Sequence, residues 1–373
     1  PSTTTEESDN EIQNQGGRSM NKCVSMTLIM CIGLTFVAPA ALRAGQPSEA
    51  WVTRTGSEIR GDATIAGTDL LIACENKVVC LDQTTGSKKW EQSASKPNTP
   101  TYGNGYVFVS SDDGLACYSV ATGTQKWSKS LQVGLECAPA YGDGKVVVGG
   151  EGALYCIDAS TGSLDWQFRC EPTYGKPCVS EGRAYVSAKK SNLHCVSLST
   201  GKEVWSRRIG QNIQMGAASC PVVLEDLVYI GSGDRPLGVY ALDKTNGMMI
   251  FKTQTPGVIT RSCVAAKQGI VAGAYFTKPG ITVMDSEEGK VLWQQSTDKG
   301  IFTQPYIEGE YLYVFPTDGF ILQYRLSNGT LLNSWSHNSY GKSGMGFSGS
   351  VVNGSMMFLV SRNEGVVVGI KGL

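Results

Sequence analysis

The residues of this chain that could do chemistry are few: two histidines, His194 and His337, against twelve cysteines. Four of the cysteines, Cys80, Cys117, Cys156 and Cys195, recur at near-constant spacing, as a metal or redox centre would need if they converged. They form no Cys-x-x-Cys or Cys-x-x-Cys-His pair, and a later copy of the same segment carries Ala241 in their place. Cysteine is a small, commonly buried hydrophobe, so packing is the simpler reading of the set. Cys137, Cys178, Cys220 and Cys263 offer one local bridge, and Cys170–Cys178 is a further candidate pair; connectivity does not follow from spacing. His194, in Leu193-His-Cys195, reads as a packed strand residue. Gly344-Met-Gly-Phe-Ser-Gly349 matches the Gly-x-Ser-x-Gly nucleophile signature only loosely and lacks its strand-to-helix context. No catalytic residue and no metal ligand set is expected.

The segments around these residues repeat. Cys80-Leu-Asp82-Gln-Thr-Thr-Gly86-Ser-Lys-Lys-Trp90 recurs as Cys117 to Gly123 and Trp127, as Cys156-Ile-Asp158 to Gly162 and Trp166, and as Cys195 to Gly201 and Trp205. Weaker copies run from Ala241-Leu-Asp243 through Gly247 to Phe251, and from Val283-Met-Asp285 through Gly289 to Trp293. A last copy runs from Gln323 through Gly329, with Trp335 two positions late. From Trp51 to Trp335 the aromatic marks lie 37 to 46 residues apart, the range of a repeat architecture. Each period reads as four short strands. A first segment often holds a proline (Pro100, Pro139, Pro177, Pro221, Pro305), and an alternating run such as Tyr106-Val-Phe-Val109 or Lys145-Val-Val-Val148 follows. The strand ending at the Asp and the strand bearing the Trp complete the set. Within Asp-x-x-Thr-Gly the glycine supplies a positive φ, while Asp and Thr oxygens satisfy turn N–H groups. The Trp buries a large flat surface between neighbouring sheets.

This Asp-x-x-Thr-Gly-x-x-x-Trp pattern resembles the pyrroloquinoline-quinone (PQQ) type β-propeller repeat over nearly all of residues 46–373. The expected fold is all-β, an eight-bladed propeller of four-stranded antiparallel blades. After Trp335 the chain supplies three strands, around Val351-Val352, Met356–Val360 and Gly365–Ile370, and ends before a fourth. Ala50-Trp51-Val52 is the missing strand, so N- and C-terminal segments share the last blade and no sheet edge stays open along the ring. The resemblance implies two kinds of function. One is that of quinoprotein dehydrogenases, with PQQ and calcium over the channel; the other is that of the propeller subunit of the outer-membrane β-barrel assembly machine, a scaffold of similar size with short loops. Short loops and the lack of adjacent cysteines lean toward a non-catalytic scaffold with no cofactor. A cell-exterior sensor or carbohydrate-binding propeller is a further alternative.

Bulk composition fits that reading. The 45 glycines point to many tight turns. A net charge of −1, from 32 basic and 33 acidic residues, gives no field that would draw nucleic acid or anionic lipid. Lys22 followed by an uncharged run to Leu42, with Ala38-Pro-Ala40 as cleavage site and Ala44 as a second, reads as a signal peptide over residues 20–44, or a membrane anchor if uncleaved. Met20 is the expected start, and residues 1–19 read as a polar extension without structure. The mature chain is then exported, periplasmic or extracellular, and spans no membrane.

In a propeller the first strand of each blade lines the channel, so its flanking residues converge while outer strands diverge. Arg60, Asp62, Glu136, Lys176, Gln214, Arg261 and Gln304 fall on or just before those strands. They differ from blade to blade against a repetitive background, as recognition of an asymmetric ligand requires. These seven are the candidate binding residues, for a protein segment of an envelope partner or for a glycan; solvation of a water-filled channel is the competing account.

Overall fold

Alternating and continuously apolar runs form strands wherever the repeat places them. A computed structural model describes residues 47–372 apart from 135–136, 211–218, 234, 260–263, 268 and 337–346. Among these, one 3-10 turn at Lys189–Ser191 is the sole helical element, and the strands assemble into eight four-stranded antiparallel sheets. Seven blades run consecutively over residues 64–93, 101–129, 140–169, 178–208, 222–254, 264–296 and 306–336. The eighth takes three strands from residues 347–371 and its outer strand, Ser48–Arg54, from the other end of the chain. The fold is the eight-bladed propeller that the repeats imply, closed by the predicted shared blade.

Blade 1 shows how sequence becomes blade. Its inner strand is Thr64–Ala66, followed outward by Asp69–Cys74, Lys77–Asp82 and Lys88–Ser93. Asp69–Cys74 is buried along its whole length, because a middle strand is covered by the next blade on each face. The outer strand turns Trp90 inward and leaves most of the rest in solvent. Hydrophobic clusters therefore sit between blades. One unites Trp51, Phe358 and Val367 of blade 8 with Leu70, Ile72 and Leu81 of blade 1.

Six of the seven tryptophans dock on the turn of the following blade. Trp51, Trp90, Trp127, Trp166, Trp205 and Trp293 donate their indole N–H to the carbonyls of Gln83, Val120, Ala159, Leu198, Lys244 and Leu326 at 2.7–3.1 Å. Every one of those carbonyls belongs to the residue just after the Asp position of the turn. The ring lies over the turn glycine: a Cβ on Gly86, where φ is +70°, would stand 2.4 Å from Trp51. An indole burying ~200 Å² at ~25 cal/mol per Å² contributes on the order of 5 kcal/mol per junction before ordering costs.

Blades 5 and 7 depart from this scheme. Phe251 sits over Gly289 but has no N–H, and the hydroxyl of Tyr229 donates to the corresponding carbonyl, Ser286, at 2.6 Å. In blade 7, Asn333 takes the register position opposite Gln323 that Trp occupies elsewhere, and Trp335 pairs with Ile321. Asn333 donates to Gln323 Oε1 (2.6 Å), and Gln323 donates to the Tyr313 hydroxyl (3.0 Å), so a polar chain fills that slot.

The cysteines of the repeat stand directly opposite the tryptophans, Cys80 on Trp90, Cys117 on Trp127, Cys156 on Trp166 and Cys195 on Trp205. All four are fully buried and lie on different blades. Burial pushes the thiols of Cys80, Cys117 and Cys156 up to about 12 and that of Cys195 to about 11, so they are inert packing groups at neutral pH. The candidate pair Cys170–Cys178 is not bridged: both are thiols.

Candidate functional site: the central channel

The inner strands of blades 1 to 7 are only three or four residues long, that of the shared blade is seven, and the segments entering them meet at the channel. Pro100, Pro139, Pro177, Pro221 and Pro305 each sit immediately before an inner strand, where a missing N–H costs no ladder bond. Side chains then tie blade to blade across the rim. Thr64 Oγ1 donates to Pro100 O (2.7 Å), Thr101 Oγ1 to Pro139 O (2.5 Å), Ser110 Oγ to Cys137 O (2.7 Å) and Ser187 Oγ to Ser219 O (3.0 Å).

A cavity of about 280 Å³ lies on this axis, lined by residues of blades 1, 2, 3, 4, 5, 7 and 8. Of the seven candidate binding residues, Arg60, Asp62, Lys176 and Gln304 line it together. Glu136, Gln214 and Arg261 lie outside the described residues. The four that meet are not equivalent. Arg60 Nη1 donates to Glu75 Oε2 at 2.7 Å. The Asp62 carboxylate lies 4.0 Å from Arg362 Nη2, and its backbone N–H donates to Thr99 Oγ1. Gln304 donates its amide to Val264 O of the preceding blade at 3.0 Å, so its N–H is committed to holding the ring.

Lys176 differs. Its backbone N–H donates to the Cys220 thiol at 3.2 Å, but no hydrogen bond or ion pair reaches its Nζ among the described residues. Confinement within the channel pushes the ammonium below the ordinary lysine value, opposed by the negative charge that Cys220, Cys178 and Asp62 can carry.

Among the lining residues that sequence reasoning missed are Tyr174, Phe302 and Arg362. Phe302 stacks on Phe276 with ring centroids 4.1 Å apart. Their signal was weak, since Arg362 belongs to a loop between the second and third strands of the shared blade rather than to an inner strand. A second feature went unread at the periphery. Exposed apolar residues stand singly at the start of the outer strands of blades 3 and 4, Leu164 and Val204, and gather in blade 5 (Met248 just before the strand, Met249 and Ile250) and blade 6 (Val291 and Leu292), with Leu331 in blade 7. Blades 1 and 2 present Lys88-Lys89 and Gln125-Lys126 at the same place. Lysine blunts an exposed sheet edge, whereas clustered apolar side chains mark a contact surface.

Among the described residues the channel lining offers no donor set for the calcium that resemblance to quinoproteins implies. Among the described residues no three His, Cys, Asp or Glu side chains could hold a metal ion together. The one carboxylate among the described lining residues, Asp62, already faces Arg362. Among the described residues no helix is long and apolar enough to cross a membrane.

Comparison with known proteins adds three findings. The family model described as outer membrane protein assembly factor BamB matches residues 40–139, 111–257 and 238–371. None of the curated proteins matches the sequence. Among solved structures, the chain is similar to BamB from Moraxella catarrhalis at 18% identity and a TM-score of 0.71, covering 87% of this chain and 99% of that one. It is similar to the computationally designed Ika8 protein at 16% identity and a TM-score of 0.72, over 86% and 98% of the two chains. A europium-containing methanol dehydrogenase gives 15% identity and a TM-score of 0.66 over 85% of each. At these identities the structural likenesses speak for the fold alone.

Proposed function

The chain belongs to the family of the outer membrane protein assembly factor BamB, and from that membership we propose that it is a non-catalytic, exported scaffold of the cell envelope that binds protein partners in outer-membrane protein assembly. In this reading residues 20–44 direct export and residues 46–373 form the working domain, with residues 1–19 an unstructured extension. The observation that carries it is the apolar belt on consecutive outer strands of blades 5 to 7, a surface suited to holding another protein. Glu136, Lys176 and Arg261 supply a second, polar recognition surface at the channel rim for a segment of the partner.

The test is affinity capture of the full-length protein from cell envelopes, followed by mass spectrometry and repeated with two variants. Wild type is expected to retain a component of the β-barrel assembly apparatus in stoichiometric amount. Met249→Lys with Leu292→Lys should reduce that retention by about tenfold or more, with the thermal transition nearly unmoved. Charge reversal at Glu136, Lys176 and Arg261 reports separately on the rim. Retention of no assembly component by wild type would sink the scaffold reading. Stoichiometric PQQ in the purified protein, with dye-linked alcohol oxidation, would put a quinoprotein dehydrogenase in its place.

A further inference from the structure

Every blade ends in an outer strand whose far edge pairs with no further strand, and most of these edges are blunted by charge. In blade 1, Glu91 of the outer strand is held by Lys77 and Lys88 at 3.1 and 3.0 Å. Blades 2, 3, 5 and 8 carry Lys126, Asp165, Lys252 and Arg54 in the same strand. In blade 4 the covering is direct, since Arg207 Nη1 donates to the Ser206 carbonyl at 2.9 Å. The outer strands of blade 6, Val291–Ser296, and blade 7, Leu331–Ser336, carry no charged residue. Folded proteins seldom leave an edge in that state, because it is a template for another strand.

The backbone of blade 6 shows what its edge offers. The outer strand pairs on one side only, with Gly280–Asp285. Thr297 N–H donates to Pro279 O at 3.0 Å, so in the alternation of an antiparallel ladder Ser296 and Gln294 turn their N–H and C=O groups away from that neighbour. Both residues are exposed, and among the described residues neither makes a backbone hydrogen bond to a further strand. Gln294 Nε2 donates to the Tyr275 hydroxyl at 3.0 Å and Gln295 Nε2 to Gly329 O at 3.1 Å, so neither amide is spent on the edge carbonyls. Val291 and Leu292, each 44% exposed, stand at the start of the same strand.

We infer that the outer edge of blade 6 is completed by one strand of the protein partner, which pairs with the backbone of Gln294 and Ser296 while its apolar side chains lie against Val291 and Leu292. Outward N–H and C=O groups two residues apart are matched by another extended backbone, whose groups repeat at the same spacing of about 6.8 Å. A helix spends those groups internally and offers none along its length. The propeller already contains one such addition, since Ser48–Arg54 completes blade 8 from the other end of the chain. The pairing is short, so backbone bonds set direction and register while the apolar pair adds contact area and selects an uncharged segment. The inference rests on the scaffold reading and names the form in which the partner binds.

The experiment uses the full chain and the assembly component that it captures from cell envelopes. Hydrogen exchange should show the Gln294 and Ser296 amides slowed about tenfold or more in the complex, with the amides that face Gly280–Asp285 unchanged. Gln294→Pro removes one outward N–H without breaking a ladder bond. It should cut capture about tenfold or more, as should Gln294→Lys, which puts on blade 6 the charge that blade 5 has at Lys252. Gln294→Ala should capture like wild type, because the partner meets the backbone rather than the side chain. The exchange measurement needs no substitution, so the idea stays testable if Gln294→Pro fails to fold. Capture with unslowed Gln294 and Ser296 amides, or capture undiminished by Gln294→Pro and Gln294→Lys, would overturn the strand addition and leave the scaffold reading standing. Slowing of the same amides without a partner, together with a doubled mass, would give the edge to a second copy instead. Capture of no assembly component by wild type would sink both readings.

Discussion

At the scale of single residues, the junction of blades 5 and 6 shows how one lost donor is replaced. Phe251 cannot reach the Ser286 carbonyl, and Tyr229 does so from the second strand of the same blade. Burial holds the Tyr229 hydroxyl up at about 12, so it remains a donor throughout the physiological range. Blade 4 carries both devices at once: Trp205 and Tyr185 donate to the same Lys244 carbonyl at 3.1 and 3.3 Å. Tyr229→Phe should therefore cost about 1–3 kcal/mol in urea denaturation, because a buried carbonyl loses its partner. Phe251→Trp introduced into that variant should recover part of the loss, as the Trp205 junction has room for both donors. Absence of recovery would mean that the tyrosine matters through packing alone. The aromatic marks were legible in the sequence as a period, but this exchange was not. It depends on Tyr229 and Phe251 meeting across a sheet, at ring centroids 6.3 Å apart, from positions far apart in the repeat.

At the scale of the element, the hairpin between third and outer strands is organised by its aspartate. Asp82 Oδ1 accepts from the backbone N–H groups of Thr84 and Thr85 and from the Thr85 hydroxyl. Asp158, Asp243 and Asp285 do the same work in their own turns. The carboxyl groups are held below the ordinary aspartate value. The Thr85 N–H does most at Asp82, the Ser160 hydroxyl at Asp158 and the Thr245 hydroxyl at Asp243, while at Asp285 several backbone N–H groups together outweigh burial. A depressed folded pKa stabilises the fold above the unfolded value near 3.8, and that stability drains away as pH falls through the folded values. The thermal midpoint should hold steady from neutral pH to about 5 and decline below about 4. Replacing Asp82, Asp158, Asp243 and Asp285 with Asn should lower the midpoint at neutral pH and flatten the acid limb; an unchanged limb would assign it to other groups. The turn and its glycine were readable from residue types alone. The register slip of blade 7 was readable only as a Trp two places late, since nothing local announces that Asn333 and Gln323 will satisfy each other. The same limit applies at the channel: the sequence placed Lys176 on the rim, but whether it meets a counter-ion depends on seven other blades.

At the scale of the whole molecule, the ring is closed by one strand. Ser48–Arg54 pairs with Val366–Lys371, and Trp51 lies against Gly369, where a Cβ would stand 2.3 Å from the indole. The same indole reaches forward to Gln83 of blade 1, so this segment joins two blades at once. Deleting residues 47–56 should remove the outer edge of blade 8 and its junction with blade 1, and lower the thermal midpoint by several degrees or abolish the cooperative transition. Adding the deleted segment back as a peptide should restore part of the loss. A truncated chain that unfolds like the full one would deny the shared blade its role. Synthesis gives this arrangement a further meaning. The closing strand is the first part of the propeller to leave the ribosome and its partner is the propeller's last, so every ring must carry an unsatisfied β-edge until that partner strand arrives. A prematurely ended product keeps that edge permanently, with Trp51 paired on one side only. The fold thereby distinguishes finished from unfinished copies of itself, and a protease that recognises exposed strand edges would remove the unfinished ones and leave the closed rings intact.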